Sequence, residues 1–140
     1  MDLQISLHQG HEHATRLRFL SGVAWSSPDA LFRQVGLAPG MRCLDVRCGT
    51  GQATLPMARL AGARGWVVGI DPQARLLAQA REEAARQGLK AEFRVGDVAE
   101  LEDPGAYDLV YTRFLLSQRP RHEAEKALKR MMRAVQPQNS

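Results

Sequence analysis

Residues 43–51 read Cys-Leu-Asp-Val-Arg-Cys-Gly-Thr-Gly, CLDVRCGTG. The run that leads in, MRCLDV (Met41 to Val46), is short and mostly apolar, and it ends at turn residues, as a buried strand does. Gly49 and Gly51 then permit a tight loop whose backbone can approach a ligand closely, and the stretch from Gly49 to Leu60 reads as loop and helix. A strand, a glycine loop and a helix in succession open a βαβ unit. The chain repeats that alternation. WVVGI (Trp66 to Ile70) is a second strand, followed by a helix with Pro72 near its start and Gly88 past its end. Leu76, Leu77, Ala80, Ala84 and Ala85 make its apolar stripe. AEFRV (Ala91 to Val95) and YDLVYT (Tyr107 to Thr112) are a third and a fourth strand, and a last helix runs from about His122 to Val135. Strands separated by helices of this length predict right-handed crossovers and a parallel sheet, so the class is α/β. Ahead of the first strand, His11 to Val23 and Pro28 to Val35 read as two helices, and Pro39-Gly40 turns the chain into the sheet. The expected organisation is an N-terminal helical segment or lid over 1–38 and a ligand-binding domain over 39–140.

Composition is consistent with that plan. The chain has 140 residues, 44% hydrophobic and 24% charged, which suits one globular domain. No apolar run approaches the roughly 20 residues of a spanning helix, and the N-terminus lacks a secretory signal, so the expectation is a cytoplasmic protein with no membrane partner. Cys43 and Cys48 have no CxxC spacing and read as reduced thiols. The net charge of +4 is spread along helix-like segments.

Open parallel sheets bind ligands beyond the carboxyl ends of their strands. Here strand one ends in Asp45 and the glycine loop, strand two in Asp71, and strand three in Gly96-Asp97. An acid after strand two can accept from both hydroxyls of a ribose, and one after strand three from an exocyclic amine, so the three acids outline an adenosine-shaped site. Each acid alone also suits a helix N-cap, Asp71 before Pro72 in particular. A nicotinamide dinucleotide fingerprint fails, because GTGQAT places Thr54 where the third glycine belongs. Three bland features complete the inventory. His8, His11 and His13 read as a polar helix start, with no metal site expected. Arg119, Arg121, Lys126, Lys129, Arg130 and Arg133 read as the solvated face of the last helix. Trp25 and Phe32 suit either a lid or ordinary packing.

LDVRCGTGQATLPMARL, VVGID, FRVGDV and YDLVYTRFLL, in that order over roughly Gly36 to Pro137, resemble the successive motifs of the class I S-adenosylmethionine-dependent methyltransferases. The resemblance implies a Rossmann-like doubly wound sheet with strand order 3-2-1-4. It also implies S-adenosyl-L-methionine as cofactor: Asp45, Gly49, Thr50 and Gly51 at its methionine end, Asp71 at the ribose with Ile70 and Pro72 as walls, and Asp97 and Val98 at the adenine. Thr112 and Arg113 match positions lining the methyl-transfer region. No catalytic residue is assigned, since the sulfonium methyl is already activated and the protein mainly aligns the acceptor. After strand four the chain reads YTRFLLSQRP rather than Asn/Asp-Pro-Pro-aromatic, which argues against a nucleic-acid base and for a small-molecule acceptor. Two departures matter. Arg47 stands where the family's loop has its first glycine. The sequence stops at Ser140, where the family continues with three more strands, so YDLVYT is expected as an unprotected edge through which the chain forms a homodimer. Two other readings stay open: a non-catalytic or truncated methyltransferase-like domain with weakened cofactor binding, and an RNA methyltransferase that uses the basic last helix.

Overall fold

The computed structural model describes residues 3–9, 15–21, 27–101, 105–113 and 120–135, with the first two segments given by their backbone. Strands β1 (Leu3–Gln9) and β2 (Thr15–Ser21) come first, then α1 (Pro28–Gln34), β3 (Arg42–Val46) and α2 (Thr54–Ala61). They are followed by β4 (Trp66–Asp71), α3 (Ala74–Gln87), β5 (Glu92–Val95), a single 3-10 turn at Val98–Glu100, β6 (Leu109–Arg113) and α4 (Arg121–Val135). One six-stranded sheet is formed in the order β2-β1-β6-β3-β4-β5. Its parallel part, β5-β4-β3-β6, is the expected 3-2-1-4 arrangement.

Four of five residues in β3 and five of six in β4 are buried, because helices cover both faces of the sheet. Side chains alternate between those faces. Cys43, Val67, Leu109 and Tyr111 pack with Leu31, Phe32 and Val35 of the α1 region and with Met57, Ala58 and Ala61 of α2. On the opposite face Leu44, Val46, Val68, Ile70 and Val110 pack with Ala127, Met131 and Ala134 of α4. Leu77, Ala80 and Ala84 of α3 close over Phe93, Cys48 and Leu55. Helix ends carry the expected signals. Ser27 caps α1 by accepting from the Ala30 amide at 3.2 Å, and Gly88 ends α3 in the left-handed region at φ 67°. No helix among the described residues is long and apolar enough to cross a membrane.

The N-terminal part departs from expectation. Of the segment 1–38, only Pro28–Gln34 is described as helical, and the stretch expected as a helix over His11 to Val23 contains strand β2 instead. β1 and β2 form an antiparallel pair with Ile5 opposite Phe19 and Leu7 opposite Leu17. The physical reason is visible in LQISLHQ and TRLRFLS, where apolar residues mostly alternate with polar ones at the period of a strand. β1 also pairs antiparallel with β6, from Gln4 opposite Arg113 to His8 opposite Leu109. The β6 edge is therefore occupied from within the chain, which removes the ground for a homodimer through that edge. β2 and β5 are the sheet's edges instead. His11, His13, Trp25 and Arg119 lie outside the described residues.

Candidate functional site

From β3 the sheet order runs outward to β4 and β5 on one side, while β6 lies on the other, so the chain reverses direction beside β3. A crevice forms beyond the strand ends at such a switch point. The glycine loop lies there and is fastened from several directions. The Cys48 amide donates to the Ile70 carbonyl at 3.0 Å, the Gly51 amide to the Cys48 carbonyl at 3.0 Å, and the Leu55 amide to the Gly51 carbonyl at 3.0 Å. The two glycines do different work. A Cβ on Gly49 (φ 58°) would meet nothing within 4 Å, which leaves this part of the loop open to a ligand. A Cβ on Gly51 (φ 90°) would touch Ala80 Cβ at 3.4 Å and Leu55 Cγ at 3.5 Å, so Gly51 lets the loop close against α3.

Arg47 has φ 61°, the one positive value among described non-glycine residues. The backbone thus keeps the left-handed conformation that the family's glycine favours, at a cost of about 1–2 kcal/mol. The loop path is retained.

Asp71 ties the site together. Its Oδ2 accepts from the Gly49 amide at 3.0 Å and its Oδ1 from the Gln73 amide at 2.8 Å, while its carbonyl accepts from the Gly96 amide at 3.1 Å. One residue therefore joins the glycine loop, the start of α3 and the end of β5. The N-cap and ligand readings of Asp71 are compatible, since a carboxylate offers about four acceptor positions and two are used here. Asp97 Oδ1 accepts from the Val98 amide at 2.7 Å and so caps the 3-10 turn. Val98 and Ile70 are buried in the core, Thr50 is half-buried, and Pro72 is exposed. Thr112 is buried, and its hydroxyl donates to the Val46 carbonyl at 3.0 Å, which fastens β6 to β3. Arg113 is exposed at the end of β6.

Asp45 is 2% exposed. Its Oδ2 accepts from the Thr54 hydroxyl at 2.7 Å. Burial pushes its carboxyl up to about 7, the Thr54 hydrogen bond opposes that rise, and the Asp71 charge adds to it. Burial, with the charges of Asp45 and Asp71, also raises the Cys48 thiol, and burial with Asp45 raises the Tyr111 phenol. Asp45 and Thr54 thus form a buried polar pair, and the Asp45 charge acts on Cys48 and Tyr111 nearby. In the sequence Thr54 stands out only as the residue in place of a dinucleotide fingerprint's third glycine. Its signal is its place at the first position of α2, where a hydroxyl points back toward the strand that precedes the loop.

Phe32 is fully buried and meets Tyr111 edge-to-face with centroids 5.0 Å apart, so it packs the core. Arg121, Lys126, Lys129, Arg130 and Arg133 are exposed along α4. Among the described residues no group of three or more potential ligands could hold a metal ion.

The residues suit an aminoacyl-nucleoside cation. The loop backbone is open at Gly49, Asp71 keeps acceptor capacity, and a carboxyl underlies the loop. Comparison with known proteins points the same way. A family model described as a methyltransferase domain matches residues 43–138. The chain is 32% identical over 108 residues to a demethylmenaquinone methyltransferase of Staphylococcus aureus, covering 76% of this chain and 44% of that protein. It is 51% identical over 69 residues to a 23S rRNA uracil-C5 methyltransferase of Acidithiobacillus ferrooxidans, covering 46% of this chain and 15% of that protein. Among solved structures, an arsenic(III) S-adenosylmethionine methyltransferase of Chlamydomonas reinhardtii superposes with a TM-score of 0.62 at 27% identity, over 71% of this chain and 36% of that one. The chain thus spans less than half the length of each of these relatives.

Proposed function

The chain belongs to the methyltransferase-domain family of class I S-adenosylmethionine-dependent enzymes, and on that premise we propose that it binds S-adenosylmethionine and directs its methyl group to a small-molecule acceptor. The observation that carries the reading is Asp71, an acid at the end of the second parallel strand that holds the Gly49 amide while keeping free acceptor positions. In this reading Asp71 takes the ribose hydroxyls, with Ile70 and Pro72 beside it. Asp97 and Val98 take the adenine. Asp45 and the Gly49-Thr50-Gly51 backbone take the methionine end, and Thr112 holds the β6 end beside the methyl-transfer region. S-adenosylmethionine supplies an activated methyl on a sulfonium when bound. The chain's own part is to bind, orient and exclude water.

The small-molecule acceptor is supported by the quinone-type relative and by the YTRFLLSQRP sequence that begins within β6 at Tyr111. The ribosomal RNA relative favours a second reading, an RNA acceptor met through the basic face of α4. Calorimetry is expected to give a one-to-one isotherm with S-adenosylmethionine and none with NAD, and Asp71→Ala is expected to weaken binding about 10- to 100-fold. Absence of heat with S-adenosylmethionine would overturn the reading. Incubation with methyl-labelled cofactor separates the acceptors: label in a phenolic or quinol metabolite pool supports the first, label in 23S rRNA with salt-sensitive binding supports the second.

Arg47 bears on affinity. In this reading the Arg47 side chain shares the glycine loop with the cofactor's methionine portion, and its φ of 61° is strained for a residue with a Cβ. Arg47→Gly is therefore expected to tighten S-adenosylmethionine binding several-fold, while stability changes little because glycine's extra unfolded-state entropy, about 0.5–1 kcal/mol, offsets the relieved strain. Equal affinities by calorimetry would show that the arginine leaves the pocket untouched.

A further inference from the structure

The Asp45–Thr54 pair stands apart from ordinary packing. Thr54 is fully buried and Asp45 nearly so, and the 2.7 Å bond between them joins the end of β3 to the first position of α2 beneath the glycine loop. The Thr54 hydroxyl donates across the glycine loop to a carboxylate of the preceding strand. Resting on the cofactor reading above, we infer that Thr54 is a positioning residue for the cofactor's ammonium group. Its hydroxyl fixes one oxygen of Asp45 and so leaves the other for the cation.

The charges around Asp45 make the same contact sensitive to pH. Asp71 on β4 adds negative charge, Cys48 in the loop and Tyr111 on β6 are both held neutral, and Arg113 lies beyond Tyr111. Arg47 belongs to the same loop. Without a cation beside it, Asp45 keeps its proton up to about pH 7. An arriving ammonium favours the ionised form, so the proton leaves as the cofactor enters. Thr54 donates to that ionised form and favours it too.

Calorimetric titration of S-adenosylhomocysteine, which carries the same ammonium, tests this between pH 6 and 8. The wild-type chain is expected to bind about tenfold more weakly at pH 6 than at pH 8. Thr54→Val is expected to weaken binding about tenfold at pH 7 and to move the midpoint of the pH profile upward, while Thr54→Ser restores both. Thr54→Ala repeats the test with a smaller side chain should the valine disturb the fold. A carbon-13 carboxyl titration of Asp45 in the ligand-free chain reads the same bond without any cofactor, with a higher midpoint expected in Thr54→Val. If the wild type binds and Thr54→Val matches it in affinity, pH profile and Asp45 titration, the inference falls and the cofactor reading stands. If the wild type binds no S-adenosylhomocysteine at any pH, both fall.

Discussion

Asp45→Asn is expected to make the ligand-free chain more stable at pH 8 by a few kcal/mol while weakening cofactor binding about tenfold or more. The stability gain follows from the cost of holding an ionised carboxylate in a dry site. Burial raises the Asp45 carboxyl from its ordinary 3.8 to about 7, and each unit of such a shift corresponds to about 1.4 kcal/mol. The unfolded chain releases this proton near pH 4, whereas the folded chain keeps it until about pH 7. Between those values the folded state binds the extra proton, so stability falls as pH rises through the window and levels off above it. Asparagine is neutral throughout and can still accept from Thr54, so the variant loses this component of the pH dependence. Thermal unfolding from pH 4 to 8 checks it. The expected record is a wild-type midpoint that declines relative to the variant and a gap that stops widening above about pH 7. Parallel curves would show that Asp45 ionises freely in the fold. The binding loss has a separate cause, since the amide offers an ammonium no opposite charge.

Removal of residues 1–21 is expected to abolish the stable monomer. β6 is buried on four of its five residues and pairs with β3 on one side and β1 on the other. Without the hairpin its amides and carbonyls from Leu109 to Arg113 face water on one edge, in a strand of strongly apolar sequence. Such an edge templates pairing with another chain. Analytical ultracentrifugation of chain 22–140 is expected to show concentration-dependent association, with a thermal midpoint at least about 10 °C below that of the full chain. Ser6→Pro is the milder variant. β1 lies between two strands, so a proline there removes one ladder bond and leaves its acceptor unpaired, at an expected cost of about 1–3 kcal/mol. A monodisperse monomer of unchanged midpoint for chain 22–140 would mean that the hairpin contributes nothing to the sheet.

The parallel core and the outline of the site are legible in the amino-acid sequence. MRCLDV, WVVGI and YDLVYT are apolar because helices cover both faces of the sheet, and burial of that kind is written in consecutive residues. Pro72 and Gly88 mark the bounds of α3 because backbone restrictions act locally. The glycine loop and the acids Asp45, Asp71 and Asp97 were legible for a related reason: a parallel sheet delivers the residues after each strand to one end. Arg47 was legible as a departure, and the structure gave it the positive φ that makes it costly.

The rest depends on contacts between distant parts of the chain. LQISLHQ and TRLRFLS alternate like strands, but short polar-apolar segments hold little energy of their own, and the pairing of β1 with β6 spans about a hundred residues of chain. The roles of Asp71 as tie between loop, helix and strand, and of Thr54 as partner of Asp45, depend on which backbone amides and hydroxyls the fold brings within 3 Å. The same holds for the proton on Asp45. A carboxylate's charge state follows from how much water the surrounding elements exclude, and residue type alone does not carry that quantity.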